Sequence, residues 1–575
     1  MSNFLACQSS YSILKSILKP SQIVEMAAKY EQSAAAIVDI SSMAGIVQFH
    51  EAATKAGIKP ILGFTAQFSD HSSISLLATN KSGYKILLQI LAEINSHENY
   101  FRHPCISYDI LNKYDLSNVL CLTGHFESTL YRALFPSCDE VLEGGWEVRA
   151  NIHLGLLVNA FSTKNIYVQV EPHFDKNTTE IYNKLAQEHE LKICYTNNIK
   201  FDRSEDSKYL FDIVRAINEK TTVRVLTDLP SIYHPHIDSS LDYGINREIS
   251  DRCESYEITG PPKLPKFQCP NNQESIDYLK EICRQGFRNK VLNQGLDKNV
   301  YGDRVKYELS VFEETGLSDY FLALWDIIKF AESEGNLVGI GRGSAAGCLI
   351  SYLLGITKFD PIKYNLVFER FFNKGRAGSL PDIDVDFPKR SRNSIIQYII
   401  DKYGADRVGQ VVTYSTLMGR AAITGVLRAE GGITFQEMKD ITKNIVDKSK
   451  ISDELQEMKE AGRNPSVIMW ALENKRNRLK DWAELDTDEE TIIGPMSKQF
   501  RMAIQLEGVK SAQSKHASAV IVSTDSLENV SPILYDKNSR KGIVGLEYED
   551  AEKCSLLKLD ILGVSTLDRI QDINT

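Results

Sequence analysis

"SLPDIDVDFPKR", residues Ser379 to Arg390, sets three aspartates at alternate positions, Asp382, Asp384 and Asp386. Successive side chains of a strand point to opposite faces. Read as a strand, the stretch gathers its carboxylates on one face and packs Ile383, Val385 and Phe387 on the other. Like charges a few ångströms apart raise one another's pKa and oppose folding. Two explanations fit. A divalent cation offsets the crowding, since magnesium takes hard oxygen ligands, commonly one or two carboxylates plus substrate phosphates. Alternatively, an exposed edge strand carries charge to discourage aggregation.

A second segment bears on that choice. "SLLKLDILGV" (Ser555 to Val564) places Asp560 inside an apolar run that reads as a buried strand. A buried carboxylate without a partner is expensive. It calls for a cation, and Lys558, two residues away, shares its face; a plain Lys558–Asp560 surface pair is the simpler alternative. Upstream, "GIGRGSAAGCLISYLLG" holds Gly341, Arg342, Gly343 and Ser344 between a predicted strand and a predicted helix. Glycines let backbone N–H groups approach an anion. The helix N-terminus adds a favourable dipole, Ser344 suits the N-cap, and Arg342 can clamp a phosphate. The turn is neither a P-loop nor a GxGxxG fingerprint. A tight structural turn is the bland reading.

The 575 residues suit about two to four domains. With 43% hydrophobic and 25% charged residues, the composition is that of a globular protein. No stretch nears the roughly 18 apolar residues that span a bilayer, and the N-terminus lacks a secretory pattern. The ten cysteines form no CxxC pair, so neither a zinc knuckle nor a disulfide framework is indicated. A reduced, cytoplasmic protein is expected, without membrane partners. The net charge of -10 argues against a basic nucleic-acid coat protein. It leaves room for a basic groove on an acidic body.

Along the first 235 or so residues, "AAAIVDI", "KPILGFTA", "SISLLAT", "NVLCLTG", "NIYVQVE" and "LKICYTN" read as strands alternating with helices. That is the rhythm of an α/β barrel or layered α/β domain. "ITGPPKLPKFQCPNNQES" reads as an extended linker. Helices are expected at "SIDYLKEICRQGFRNKVL", "YFLALWDIIKFAESEG" and "SRNSIIQYIIDKYG", and a charged one at "ALENKRNRLKDWAEL". Strands return at "HASAVIVS", "KGIVGLEYE" and "SLLKLDILG", so helices look inserted into one mixed sheet.

Together, "YFLALWDIIKFAESEGNLVGIGRGSAAGCLISYLLGITKFDPIKYNLVFERFFN", "PDIDVDF", "QLEGVKSAQSKHASAVIVS" and "LLKLDILGVSTLDRI" resemble the C-family bacterial replicative polymerases, the DNA polymerase III alpha subunits. "KLPKF" resembles the family's joint ahead of the palm. The resemblance implies a multidomain α/β and α+β chain. It places a PHP-type α/β barrel over 1–257, a linker over 258–275 and a polymerase-beta-like nucleotidyltransferase palm in two parts, 276–430 and 501–575. A helical thumb fills 431–500. It implies two magnesium ions held by Asp384, Asp386 and Asp560, with Asp382 in a supporting place. Arg342, Gly343, Ser344 and Lys558 would face the incoming nucleotide, helped by Arg390 or Arg392, between which spacing does not choose. Lys475, Arg476, Arg478 and Lys480 would contact duplex phosphates; a solvated helix face is the other reading.

The resemblance further implies primer–template DNA, deoxynucleoside triphosphates, a sliding clamp and a clamp loader as partners. The function expected is DNA-directed DNA polymerisation. The alternative is a non-catalytic or error-prone-repair relative acting as a scaffold. The family continues into fingers, so this chain reads as a fragment or as one half of a split enzyme with a separate fingers-containing polypeptide. Positions where an active PHP domain carries metal ligands hold Phe4, Gln8, Ser10, Ile40, Thr65, Asn198 and Lys200, with Asp39 kept. Amides, apolar groups and an ammonium cannot rebuild a multi-metal site. The barrel is therefore expected to be structural, with His50, His125 and His173 as ordinary residues.

Overall fold

Seven short apolar runs form strands β1 (Phe4–Cys7), β2 (Ala34–Ile40), β3 (Lys59–Gln67), β4 (Ser73–Ala78), β5 (Val119–Leu122), β6 (Ile166–Val170) and β7 (Lys192–Tyr195). The computed structural model describes residues 3–134, 145–227, 232–373, 380–486 and 491–574; Ser379, at the head of the aspartate stretch, lies outside them. The seven strands pair in chain order, and only β4 runs against its neighbours. Past β7, Ile199 N donates to Ala6 O (2.8 Å) and Gln8 N donates to Ile199 O (2.8 Å), which joins the last strand's continuation to the first. The result is a closed α/β barrel, filled by Leu5, Val38, Ile61, Leu77, Leu122 and Tyr167. Gly63 lets β3 and β4 lie close, since a Cβ there would sit 2.1 Å from Leu76 O.

The chain divides into two units. The first joins Met1–Tyr256 with Tyr414–Ser514; the second joins Glu257–Thr413 with Lys515–Thr575. In the first unit, helix Glu205–Glu219 shares a core with Arg420–Glu430, Val467–Asn474 and Ser497–Leu506, through Ile213, Val214, Val426, Ile468 and Phe500. The charged stretch 471–485 is not one helix. Lys475 leaves the helical region (φ -122°, ψ 25°), one turn follows over Arg476–Leu479, and Glu484–Asp486 pairs with Thr491–Ile493.

The barrel's polar mouth satisfies much of its charge internally. Asp39 accepts from Ser9 N (2.7 Å), Ser9 Oγ (2.6 Å) and Ser12 Oγ (2.7 Å). Thr65 Oγ1 donates to Val38 O at 3.0 Å. The Lys200 side chain is buried, with Nζ 3.7 Å from Glu127 and 3.9 Å from the centre of the Tyr233 ring. Burial lowers its pKa and Glu127 opposes the shift. In return, Lys200 holds Glu127 down at about 2. Asn198 Nδ2 donates to His125 Nε2 at 2.5 Å, and burial pushes His125 down to about 4.

The second unit centres on a mixed sheet built from β8 (Asp384–Pro388), β9 (Val408–Thr416), β10 (Lys510–Val522), β11 (Ile533–Asp536), β12 (Lys541–Val544) and β13 (Leu557–Val564). Its order is β8–β13–β10–β9–β12–β11, so strands from both sides of the helical insertion interleave. Helices Ser275–Lys290, Ser318–Ser333 and Arg392–Tyr403 form as expected. Phe321 and Ile328 from Ser318–Ser333 and Ile399 from Arg392–Tyr403 join Val385, Phe387, Val520, Leu559 and Ile561 in one core. The strand expected at 337–340 does not form. Gly339 N donates a single backbone bond to Asp386 O (2.8 Å), and no ladder follows.

Two predictions follow from the barrel. Gly63→Ala should destabilise it by about 3 kcal/mol or more in urea unfolding, because backbone rather than a flexible side chain blocks the new methyl. His125 is neutral when folded down to about pH 4, whereas its ordinary value is 6.5. Between those values the unfolded chain binds a proton that the barrel excludes, so stability falls as pH drops through that window. His125→Gln should flatten part of this slope, by up to about 3 kcal/mol at pH 4. His153, pushed down to about 3 by burial, keeps its own share of the slope in that variant.

Candidate active site

Strand β8 pairs in parallel with β13, and the register sets Asp384 opposite Asp560 and Asp386 opposite Leu562. Partners in register on adjacent strands share a face. Asp384 and Asp560 thus stand abreast, with Asp386 two residues further along the same face. Val385, Phe387, Leu559 and Ile561 are buried behind them. Asp382 precedes the strand, is exposed, and still reaches the patch through Lys558.

Two cations are threaded among the carboxylates. Arg342 Nη1 lies 2.9 Å from Asp384 Oδ2, and its Nε lies 3.4 Å from Asp386 Oδ2. Lys558 Nζ lies 2.9 Å from Asp560 Oδ2 and 3.6 Å from Asp382 Oδ1, with the Tyr548 ring 4.7 Å away. Burial raises the pKa of Asp384; Arg342 opposes this, and Asp382 and Asp386 add to it. Burial likewise raises Asp560 against the pull of Lys558. Burial lowers Lys558, but Asp560 and Asp382 outweigh it and its pKa is raised.

Four carboxylates therefore share the patch with two cationic side chains, and negative charge is in excess. The donors are hard oxygens, which suit magnesium. Among the described residues, no three His, Cys, Asp or Glu side chains stand close enough to form a ready-made metal cage. The residues fit a cation that takes one or two carboxylates and completes its shell with substrate phosphates.

The glycine turn borders this patch. A Cβ on Gly339 would lie 2.7 Å from Asp386 Cβ, so only glycine lets the chain run beside β8 there. Gly341 (φ 90°) and Gly343 (φ 64°) turn the backbone through the left-handed region. Residues Gly343–Gly347 then form a 3₁₀ turn, and the α-helix starts only at Leu349. Ser344 is exposed and does not cap that helix; Cys348 does. Nor is the helix N-terminus open to a phosphate, because the buried Glu308 carboxylate accepts from Leu349 N (3.0 Å) and Ile350 N (2.9 Å). What remains for an anion is the 3₁₀ turn. It edges a cleft of about 490 Å³ lined by Gly343, Ser344, Leu366, Val367 and Arg370.

The other expected residues lie elsewhere. Arg392 Nε donates to Ile561 O (2.8 Å) and Nη2 to Ser518 O (3.3 Å), bracing the backbones of β13 and β10. Arg390 Nη1 pairs with Asp572 at 2.5 Å. In the first unit, Arg476, Arg478 and Lys480 are exposed; Arg476 pairs with Glu484 and Lys475 lies 5.8 Å from the Trp470 ring. Sequence reasoning missed Gly339, Glu308 and Tyr548. The spacing of Gly339 ahead of the GRG turn was a usable signal; Glu308 offered none.

Comparison with known proteins gives the context. The bacterial DNA polymerase III alpha NTPase domain matches residues 277–563, and the PHP domain matches residues 5–173. The DNA polymerase III subunit alpha of Halalkalibacterium halodurans is 30% identical over 580 residues, covering 98% of this chain and 48% of its own length. That of Bacillus subtilis is 31% identical over 598 residues, covering 99% and 49%. That of Borreliella burgdorferi is 31% identical over 614 residues, covering 99% and 49%. The chain spans about half the length of the curated relatives it matches. With a PHP domain, the alpha-subunit domain and similarity to these proteins along nearly its own whole length, it belongs to the bacterial DNA polymerase III alpha family.

Proposed function

We propose that the chain carries the palm of a DNA-directed DNA polymerase and transfers deoxynucleotides onto a primer under template direction. The register of Asp384 with Asp560 beside the glycine turn is the observation that supports this most strongly. Asp384, Asp386 and Asp560 are the residues that would hold two Mg²⁺ ions. When bound, such ions lower the pKa of the primer hydroxyl and stabilise the leaving pyrophosphate.

The chain's own groups bind and orient. Arg342 already grips two carboxylates in a forked geometry, and the same fork suits a triphosphate. The exposed amides of Gly343 and Ser344 would donate to phosphate oxygens. Lys558, held between Asp560 and Asp382, balances charge as pyrophosphate leaves. Arg392 keeps β13 and β10 aligned so that Asp560 stays beside Asp384. Lys475, Arg476, Arg478 and Lys480 would lie along duplex phosphates and add salt-dependent affinity. Primer–template DNA, deoxynucleoside triphosphates, a sliding clamp and a clamp loader are the partners in this reading, and the barrel serves as a structural domain.

Primer extension with Mg²⁺ tests the reading, using this chain alone and supplemented with a polypeptide covering the remaining half of the relatives. Asp384→Ala, Asp386→Ala and Asp560→Ala should each lower incorporation by about a thousandfold or more. Asp382→Ala should cost about tenfold or less, its carboxylate being exposed. Equal loss at all four positions would overturn that division of roles, and no incorporation under either condition would sink the polymerase reading in favour of a scaffold. Arg342→Ala should weaken use of nucleotide while strengthening Mn²⁺ binding in its absence, by about threefold or more, because it removes a competing cation from Asp384 and Asp386. Titration followed by electron paramagnetic resonance reads that change.

A further inference from the structure

Behind the glycine turn lies a charged pair that no step above uses. Glu308, on helix Lys298–Thr315, is fully buried. Its Oε1 accepts from Arg304 Nε (2.7 Å) and Leu349 N (3.0 Å). Its Oε2 accepts from Ile350 N (2.9 Å) and Cys348 Sγ (3.4 Å). Arg304 Nη2 reaches past the carboxylate to Gly347 O at 3.0 Å. Two side chains one helical turn apart thus hold the four consecutive residues Gly347 to Ile350, three through the backbone and Cys348 through its thiol, where the turn leaves and the helix begins.

The far end of the same short helix is also held from outside. Lys290 Nζ donates to Tyr352 O, the last turn of Leu349–Leu354. Gly286 lets helix Ser275–Lys290 rest on that backbone, since a Cβ there would meet Leu353 O at 2.4 Å. Six residues make a marginal helix on their own, and this one takes its position from its neighbours. A buried ion pair is an expensive way to do so, because apolar side chains of similar volume are often at least as stabilising. What an ion pair adds is direction: each Glu308 oxygen has two donors, and only one placement of the turn satisfies them all.

We propose that Glu308 and Arg304 are positioning residues that fix the Gly343–Gly347 turn beside Asp384 and Asp386 so that its amides meet the nucleotide's phosphates. The proposal rests on the polymerase reading for its ligand, and on geometry alone for the fixing of the turn. Glu308→Gln is the informative change. It keeps the volume but turns one acceptor into a donor that faces another donor, so the turn loosens while the core stays filled.

The experiment has two arms on the full chain. Hydrogen exchange of the peptide covering 342–350 should accelerate about tenfold or more in Glu308→Gln, while the peptide covering β8 stays within about twofold. Mg²⁺-dTTP affinity, measured by calorimetry, should weaken about fivefold or more, with Mn²⁺ affinity in the absence of nucleotide within about twofold. Unchanged exchange in 342–350 overturns the proposal. So does a parallel loss of Mn²⁺ binding, nucleotide binding and thermal stability, which marks a purely structural group. If Glu308→Gln does not fold, Arg304→Lys, which keeps a cation by the buried carboxylate but loses the guanidinium's reach to Gly347 O, is read in the same way with smaller changes. If the wild-type affinity for Mg²⁺-dTTP ignores Asp384→Ala and Asp560→Ala, the polymerase reading fails, and the exchange arm still decides whether Glu308 fixes the turn.

Discussion

The constraint on which the second unit depends is the register that sets Asp384 beside Asp560. Two carboxylates on adjacent strands repel, and burial of each raises that cost. The fold holds them there because the opposite faces of β8 and β13 carry Val385, Phe387, Leu559 and Ile561 into one apolar core. A one-residue slip would turn every aspartate inward and every core residue outward. Apolar packing therefore dictates the placement of charge. Arg342 and Lys558 ease the repulsion, each bridging two carboxylates, and Gly339 gives the turn access to the same edge without displacing Asp386.

Much of this was legible because it is local. Alternation in "DIDVDF" assigned faces correctly, and an aspartate inside the apolar run of β13 announced a special position. Six barrel strands announced themselves as apolar runs, whereas β1 (Phe4–Cys7) did not. Register was not legible, since it comes from pairing across 176 residues of chain, from Asp384 to Asp560. The strand expected before the GRG turn failed for a physical reason. "LVGI" meets its neighbour β8 through one backbone bond, at Gly339, so β-propensity had no ladder to act on. The helix expected over 471–485 failed at Lys475, where high helix propensity yielded to the packing of separate short elements.

Glu308 shows the limit most clearly. In sequence it is one of several acids on an amphipathic helix, and such residues are normally solvated. Nothing local distinguishes it from Glu313, which is exposed and pairs with Lys280. Its role is set by backbone amides at 349 and 350, reached only through the tertiary fold. Arg392 is another case where tertiary partners were not legible: side-chain chemistry suggested phosphate, and the fold sets its guanidinium on backbone carbonyls at 518 and 561.

The two polar centres of the chain solve one electrostatic problem in opposite ways. In the barrel, the Lys200 side chain is buried against Glu127 and Tyr233. Around Asp384 the cations come from separate elements, Arg342 half-exposed and Lys558 largely buried, and carboxylates outnumber them. Ion pairs at an exposed surface are weak, about 0–1 kcal/mol, and exchange easily. A phosphate or a divalent ion can therefore compete for Arg342 or for Asp384 without unfolding anything, whereas the same competition for Lys200 would first have to open the barrel.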